Sequence, residues 1–141
     1  MEKRLLVIQE HNAKKAGLHW DVRFECGGDI TRYIDKREET TREPMTNSGT
    51  KVLRSFVIPK HEFPTERGKV KMAILVEDHP WDYKDFDGVI ESGYGQGTVK
   101  LLFSDYINVS TFTEDKITFE YEGIWYTIFN AGKNYLIKKN S

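Results

Sequence analysis

A chain of 141 residues is about the size of one ordinary domain, long enough to bury a core without disulfides or a partner subunit. Its 38% hydrophobic content, with 8 Phe, 7 Tyr and 3 Trp, excludes a disordered chain, and its one cysteine, Cys26, excludes an intramolecular disulfide or a cysteine-rich zinc site. The formal net charge of −1, from 21 basic and 22 acidic residues, excludes the overall basic character of a protein that wraps long stretches of duplex, but is compatible with a grip on one strand end.

Alternating or β-branched runs predict strands at 4–11, 18–25, 31–35, 52–58, 70–77, 98–103, 116–122, 125–130 and 135–138. Turn chemistry separates them, as in Gly27-Gly28-Asp29, Asn47-Ser48-Gly49 and Ala131-Gly132-Lys133. Helical periodicity is weak, with at most a turn or two near 80–86, where Pro80 suits a first helical position. The expectation is a mainly β, single-domain antiparallel barrel over 1–141. The opening MEKRLLVIQEH has too few apolar residues for a signal core or a membrane span, so a cytoplasmic, membrane-free protein is expected.

The first expected strand ends at His11, and a turn through 12–17 returns the chain into Leu18-His19-Trp20-Asp21-Val22-Arg23-Phe24-Glu25. Strand side chains alternate between faces, so His19, Asp21, Arg23 and Glu25 share one side while Leu18, Trp20, Val22 and Phe24 offer the other to a core. An imidazole and a carboxylate two residues apart converge on one point, as a divalent metal requires, and His11 across the turn can supply a third ligand. Arg23 then stands where a metal-bound phosphate needs a second cation. The same alternation also fits a solvated outer face with cross-strand ion pairs.

Residues 36–51 hold a charged run, Pro44 and a polar Thr-Asn-Ser-Gly-Thr run, which predicts a long exposed loop. Next, Val76-Glu77-Asp78-His79-Pro80-Trp81-Asp82-Tyr83 ends a strand and enters a tight turn, where His79 can donate to a phosphate or a leaving oxygen and Tyr83 can add a hydroxyl. The alternative is that His79 caps the turn and Tyr83 packs. The glycine-rich run 91–98 is followed by a strand pattern rather than a helix, so its glycines are expected to make a close approach to the barrel, not a phosphate loop. His61 is expected to be a surface residue.

Taken together, Val7-Ile8-Gln9-Glu10-His11, the 18–25 strand, Leu53-Arg54-Ser55-Phe56-Val57-Ile58-Pro59-Lys60, Val76-Glu77-Asp78-His79-Pro80 with Asp82-Tyr83, and Phe86-Asp87-Gly88-Val89-Ile90 resemble the 3′-phosphoesterase family found within DNA ligase D and as stand-alone proteins. Tyr94-Gly95, Gly97-Thr98-Val99, Gly123-Ile124-Trp125 and Tyr135-Leu136-Ile137-Lys138 extend it across nearly the whole chain. The resemblance implies a barrel with its active site in a surface groove. It also implies a manganese-dependent activity, with zinc or cobalt as alternatives, that removes 3′-phosphates and 3′-terminal ribonucleotides from DNA 3′ ends to leave a 3′-hydroxyl, alongside a separate ligase and polymerase.

By position, His11, His19 and Asp21 match the family's metal ligands, Arg23, His79 and Tyr83 its catalytic residues, and Lys60, Lys71 and Arg54 its substrate-binding ones. Lys71 stands where the family often has Arg, which keeps the charge and loses a bidentate grip. Ligase-linked members carry an arm before this region, and this sequence begins only a few residues upstream of the first expected strand, so 3′-phosphatase activity is expected to exceed ribonuclease activity. Two rival classes remain: a non-haem iron oxygenase using His19, Asp21 and His79 as a facial set, and a non-catalytic barrel that binds nucleic-acid strands or another repair protein, with aromatics as stacking platforms.

Overall fold

The computed structural model describes residues 1–27, 51–60, 62–93 and 95–141. The expected strand at 31–35, the expected loop at 36–51 except for Lys51, and His61 therefore lie outside the described residues. Within them the chain forms β1 (Glu2–Ala13), β2 (Gly17–Cys26), β3 (Val52–Pro59), β4 (Val70–Pro80), a 3₁₀ turn (Trp81–Asp85), β5 (Gly88–Ile90), β6 (Gly97–Phe112), β7 (Lys116–Tyr121), β8 (Ile124–Asn130) and β9 (Tyr135–Lys139). All pairings are antiparallel. Strand order runs β1-β2-β3-β4-β9-β8-β7-β6, and β6 returns to β1, closing an eight-stranded barrel; β5 adds to the start of β6 outside that ring.

Alternation explains what fills the barrel. Leu6 and Ile8 of β1, Val22 and Phe24 of β2, and Phe56 and Ile58 of β3 meet Ile107, Val109, Ile117, Phe119, Tyr126, Ile128 and Ile137 in one buried cluster. Phe24 stacks edge-on against Phe56 and Phe119, and Phe63, after β3, plugs the interior between Trp20, Phe119 and Tyr126. Leu18, expected in the core, is 39% exposed, because it sits where the β1–β2 hairpin projects past the core.

Three features depart from the sequence expectation. Strand β6 continues nine residues beyond Phe103, its far half anchored by buried Ile107 and Val109. A bulge hides this extension: Ile8 pairs with Phe103 but Gln9 with Leu101, so Leu102 is an extra residue and the inward phase switches there. Strand β5 is too short for periodicity to reveal. Pro80 precedes the 3₁₀ turn as its cap instead of opening it.

On the side away from β1, β6 pairs with β5 over 97–99 and with β7 from Val109 onward, which leaves 100–108 without a second neighbour among the described residues. There the Leu101 amide donates to the Asp87 carboxylate at 2.8 Å and the Tyr106 amide to the Asp105 carboxylate at 2.7 Å.

Candidate active site

Antiparallel partners share a face of the sheet, and β1 pairs with β2 through Val7↔Arg23, Gln9↔Asp21 and His11↔His19. Since Leu6↔Phe24 and Ile8↔Val22 point into the barrel, the odd-numbered row lies on its outer face. That row is nevertheless buried: Gln9 is 0%, His11 7%, His19 7%, Asp21 6% and Arg23 3% exposed. The 3₁₀ turn packs Trp81 and Tyr83 on Leu5, Val7 and Leu53, and Gly95 reaches over His11, so the polar row is roofed rather than solvated. The row keeps the outer face and the cross-strand ion pairs of the surface-decoration alternative but not its solvation.

The β1–β2 hairpin sets the register that brings both histidines to one carboxylate. Gly17 takes φ +79°, which an L side chain adopts only with strain, and its carbonyl accepts from His19 Nδ1 at 3.2 Å. The His11 and His19 rings lie 4.8 Å apart, edge to face. His11 Nδ1 stands 3.3 Å from Asp21 Oδ2, and His19 Nε2 3.2 Å from Asp21 Oδ1. One ligand atom from each of the three lies within 4.8 Å of the others.

The donor set fits a divalent cation. His11 Nε2 faces the Gly95 carbonyl at 2.7 Å and His19 Nδ1 faces that of Gly17; a carbonyl only accepts, so each of those nitrogens carries a proton. In the neutral rings the lone pairs then fall on His11 Nδ1 and His19 Nε2, both aimed at an anionic carboxylate. Only a positive charge between them makes that arrangement favourable, and backbone-anchored imidazoles with a carboxylate suit a metal of intermediate softness. Without a metal a proton does the same work. The hydrogen bond to Asp21 raises His11 above its usual value, against the opposing effect of burial. Burial pushes the Asp21 carboxyl up, but the Arg23 guanidinium and the bonds from His11 and His19 more than offset it and hold Asp21 well below the carboxylate range.

Arg23 extends the row. Its Nη2 lies 3.3 Å from Asp21 Oδ2 and its Nε donates to Gln9 Oε1 at 2.8 Å, while buried Nη1 has no acceptor among the described residues. Burial lowers its pKa, opposed by the Asp21 charge, and a guanidinium stays protonated. Gln9 is the residue that sequence reading passed over. Its Nε2 donates to the carbonyls of Tyr83 at 3.0 Å and Phe86 at 3.1 Å, so one amide ties the Arg23 head to the 3₁₀ turn. Its place two residues before His11 on the same row was the available signal.

A bulge in β4 brings His79 onto this side. Ser55 pairs with Val76 but Leu53 with His79, so one extra residue on β4 shifts its phase and turns His79 outward beside Leu53. His79 Nδ1 faces the Glu77 carbonyl at 3.1 Å, which puts the neutral ring's proton there and makes Nε2 the basic nitrogen. The Tyr83 ring is 5.0 Å from the His79 ring, 5.0 Å from the Arg23 guanidinium carbon, and stacked on Phe86 at 4.8 Å. Arg23, Tyr83 and His79 thus form one continuous run.

The other sequence candidates are not gathered here. Arg54 pairs with Phe24 on the inward row and donates Nη2 to the Glu114 carbonyl at 3.0 Å. Lys71, opposite inward Ile137, binds Glu62 Oε1 at 3.2 Å. Lys60 is exposed at φ +64° immediately after Pro59, the cross-strand partner of His19, and so stands at the rim. Glu25, on the same row as Arg23, holds the Leu5 amide and Lys51 instead of joining the cluster. Because His11, and not His79, completes the described His-His-Asp group, the facial set expected of an iron oxygenase is not the one assembled. No helix among the described residues is long and apolar enough to cross a membrane.

Residues 45–125, more than half of the chain, match the family described as DNA Ligase D 3′-phosphoesterase domain. That match begins after His11, His19 and Asp21. Over 115 residues, 81% of its length, the chain is 34% identical to the multifunctional non-homologous end joining DNA repair protein LigD of Mycobacterium tuberculosis. It is 35% identical over 96 residues to the LigD of Mycolicibacterium smegmatis and 33% over 93 residues to that of Pseudomonas aeruginosa, 67% and 65% of this chain. The aligned part spans only 12%, 9% and 8% of those relatives' own lengths.

Proposed function

The chain belongs to the DNA ligase D 3′-phosphoesterase domain family, and from that premise we propose that it is a metal-dependent phosphoesterase acting on DNA 3′ ends in the cytoplasm. It removes 3′-phosphates and 3′-terminal ribonucleotides, works as one domain over 1–141, and leaves a 3′-hydroxyl for a separate polymerase and ligase. The observation that carries this reading is Arg23 Nη1, a buried guanidinium nitrogen with no acceptor among the described residues, beside the His-His-Asp cluster. A buried donor left without a partner costs about 1–3 kcal/mol or more, and an incoming phosphate oxygen is an acceptor matched to it.

His11, His19 and Asp21 would hold the divalent metal, manganese first, with zinc or cobalt also suited to the donors. When bound it supplies Lewis-acid polarisation of a phosphoryl oxygen. The chain's own groups do the rest. Gln9 and Asp21 fix the Arg23 head so that Nη1 meets the charge that grows on phosphate in the transition state, without reorganising. With Nδ1 turned to the Glu77 carbonyl, His79 presents Nε2 to the leaving oxygen and would donate from it when the ring is protonated, and the Tyr83 hydroxyl is a supporting donor. Lys60, at the rim, attracts the strand's phosphates. Lys71 and Arg54 act on substrate only from further off, given their other partners.

The direct test is phosphate release from a 3′-phosphorylated primer–template with and without manganese, beside a primer ending in one ribonucleotide. Release should need the metal and be faster from the 3′-phosphate. A terminal phosphate has only to be gripped, whereas a ribonucleoside must also be aligned, and about 1 Å of misplacement costs roughly 100-fold. No release with any divalent metal would sink the reading in favour of a strand-binding barrel.

Arg23→Ala should lower kcat on the 3′-phosphate by about 10²–10³-fold while metal affinity, read by isothermal titration, persists. Gln9→Leu leaves the guanidinium present but untethered, and kcat should fall by about 10- to 100-fold, the range for losing an orienting partner. Wild-type kcat in Gln9→Leu would mean that Asp21 alone positions Arg23.

A further inference from the structure

We propose that Trp81, with Lys51 and Lys84, forms a platform that holds the DNA strand upstream of the 3′ end; this rests on the phosphoesterase reading above. The Trp81 ring packs on Leu5, Val7 and Leu53 and is half-buried, so its seat is rigid. Two ammonium groups stand over it, Lys51 Nζ at 5.1 Å and Lys84 Nζ at 5.4 Å from the ring centroid. The two lysines come from separate parts of the chain, one preceding β3 and one from the 3₁₀ turn itself. Neither the His-His-Asp cluster nor Arg23 uses any of the three.

An aromatic face flanked by cations is what single-stranded nucleic acid selects: a base stacks on the ring and the adjoining phosphates take the charges. The lysines' present partners do not compete strongly. Lys84 pairs with Asp85, whose side chain is 70% exposed, and exposed pairs contribute little. Lys51 pairs with Glu25 but is itself half exposed. Position along the strand agrees. Val7 and Leu5 lie four and six residues from His11 on β1, about 13–20 Å at 3.4 Å per residue. Phosphates of one strand in duplex are about 3.4 Å apart along the axis, so the platform would meet the strand some four to six nucleotides from the reacting phosphate, and fewer if the strand is extended.

The test is binding of the full chain, without metal, to fluorescein-labelled oligonucleotides ending in a 3′-hydroxyl, a 12-mer and a dinucleotide too short to reach the platform, followed by anisotropy. Trp81→Ala should weaken the 12-mer about tenfold and the dinucleotide by less than about threefold, whereas Trp81→Phe, which keeps a ring in the seat, should stay within about threefold on both. The double variant Lys51→Ala, Lys84→Ala leaves the apolar seat intact, and should reduce the slope of log affinity against log salt on the 12-mer by about 1.4. Equal losses on both lengths, an unchanged salt slope, or a wild-type chain that ignores the 12-mer would each overturn the platform. A wild-type chain that binds the 12-mer with these dependences yet releases no phosphate would refute the phosphoesterase reading and leave the platform standing.

Discussion

His19→Ala is expected to eliminate measurable phosphate release and to weaken metal binding by more than about 100-fold, the upper range for losing a mere outer partner of a ligand. His19 brings one of two nitrogen donors, and its loss leaves His11 and Asp21, too few protein ligands to fix the cation against water. The deficit extends further. Asp21 Oδ1 loses the ring nitrogen at 3.2 Å, so the carboxylate is free to rotate and Oδ2 loosens its 3.3 Å contact with Arg23 Nη2. Titration calorimetry with manganese separates these losses from unfolding, because the barrel core lies on the opposite row of β2 and its melting should barely move. Undiminished metal affinity in His19→Ala would overturn the ligand assignment.

Gly97→Ala should act on the fold, with a loss on the order of 4 kcal/mol, in the range reserved for serious steric conflict. A Cβ at Gly97 would meet the backbone oxygen of Asn12, far inside contact, and the Ala13 Cα at 2.9 Å, while φ +151° already disfavours a side chain. Relief is expensive because both atoms are backbone. Residue 97 pairs with Ala13 on one side and Ile90 on the other, and β1–β6 is the seam that closes the barrel. Chemical denaturation should find the midpoint sharply lowered. Activity should fall with it, since the displaced segment carries the Gly95 carbonyl that orients His11. A midpoint within experimental error of the native chain would show that the β1–β6 seam yields at little cost.

The legible parts of this molecule were those governed by strict alternation. Leu18-His19-Trp20-Asp21-Val22-Arg23-Phe24 divides into two rows, and the hairpin register that makes His11 meet His19 follows from a single short turn. The glycine-rich run was rightly read as a close approach, at Gly97 above all. What escaped was set by interruptions of the period: the extra residue at Leu102 hid the far half of β6, and the β4 bulge decides that His79 and not Asp78 faces with Leu53. Gln9 escaped for another reason. An uncharged amide on a strand signals little until its partners, here two carbonyls of a turn more than 70 residues away, are known. Arg54, matched to the family by position, points inward because it pairs with Phe24, a consequence of register that position alone does not carry.

The unpaired stretch of β6 bears on how copies of this protein behave toward one another. A strand edge with bare amides invites a neighbouring chain to add itself, and repeated addition leads to aggregates. Here two of those amides are already claimed by the carboxylates of Asp87 and Asp105, so an arriving strand must first expel a negative charge from each. With a net charge of only −1, the protein has little long-range repulsion to keep copies apart in a crowded solution. Asp87 and Asp105 thus guard this stretch of β6 against strand addition.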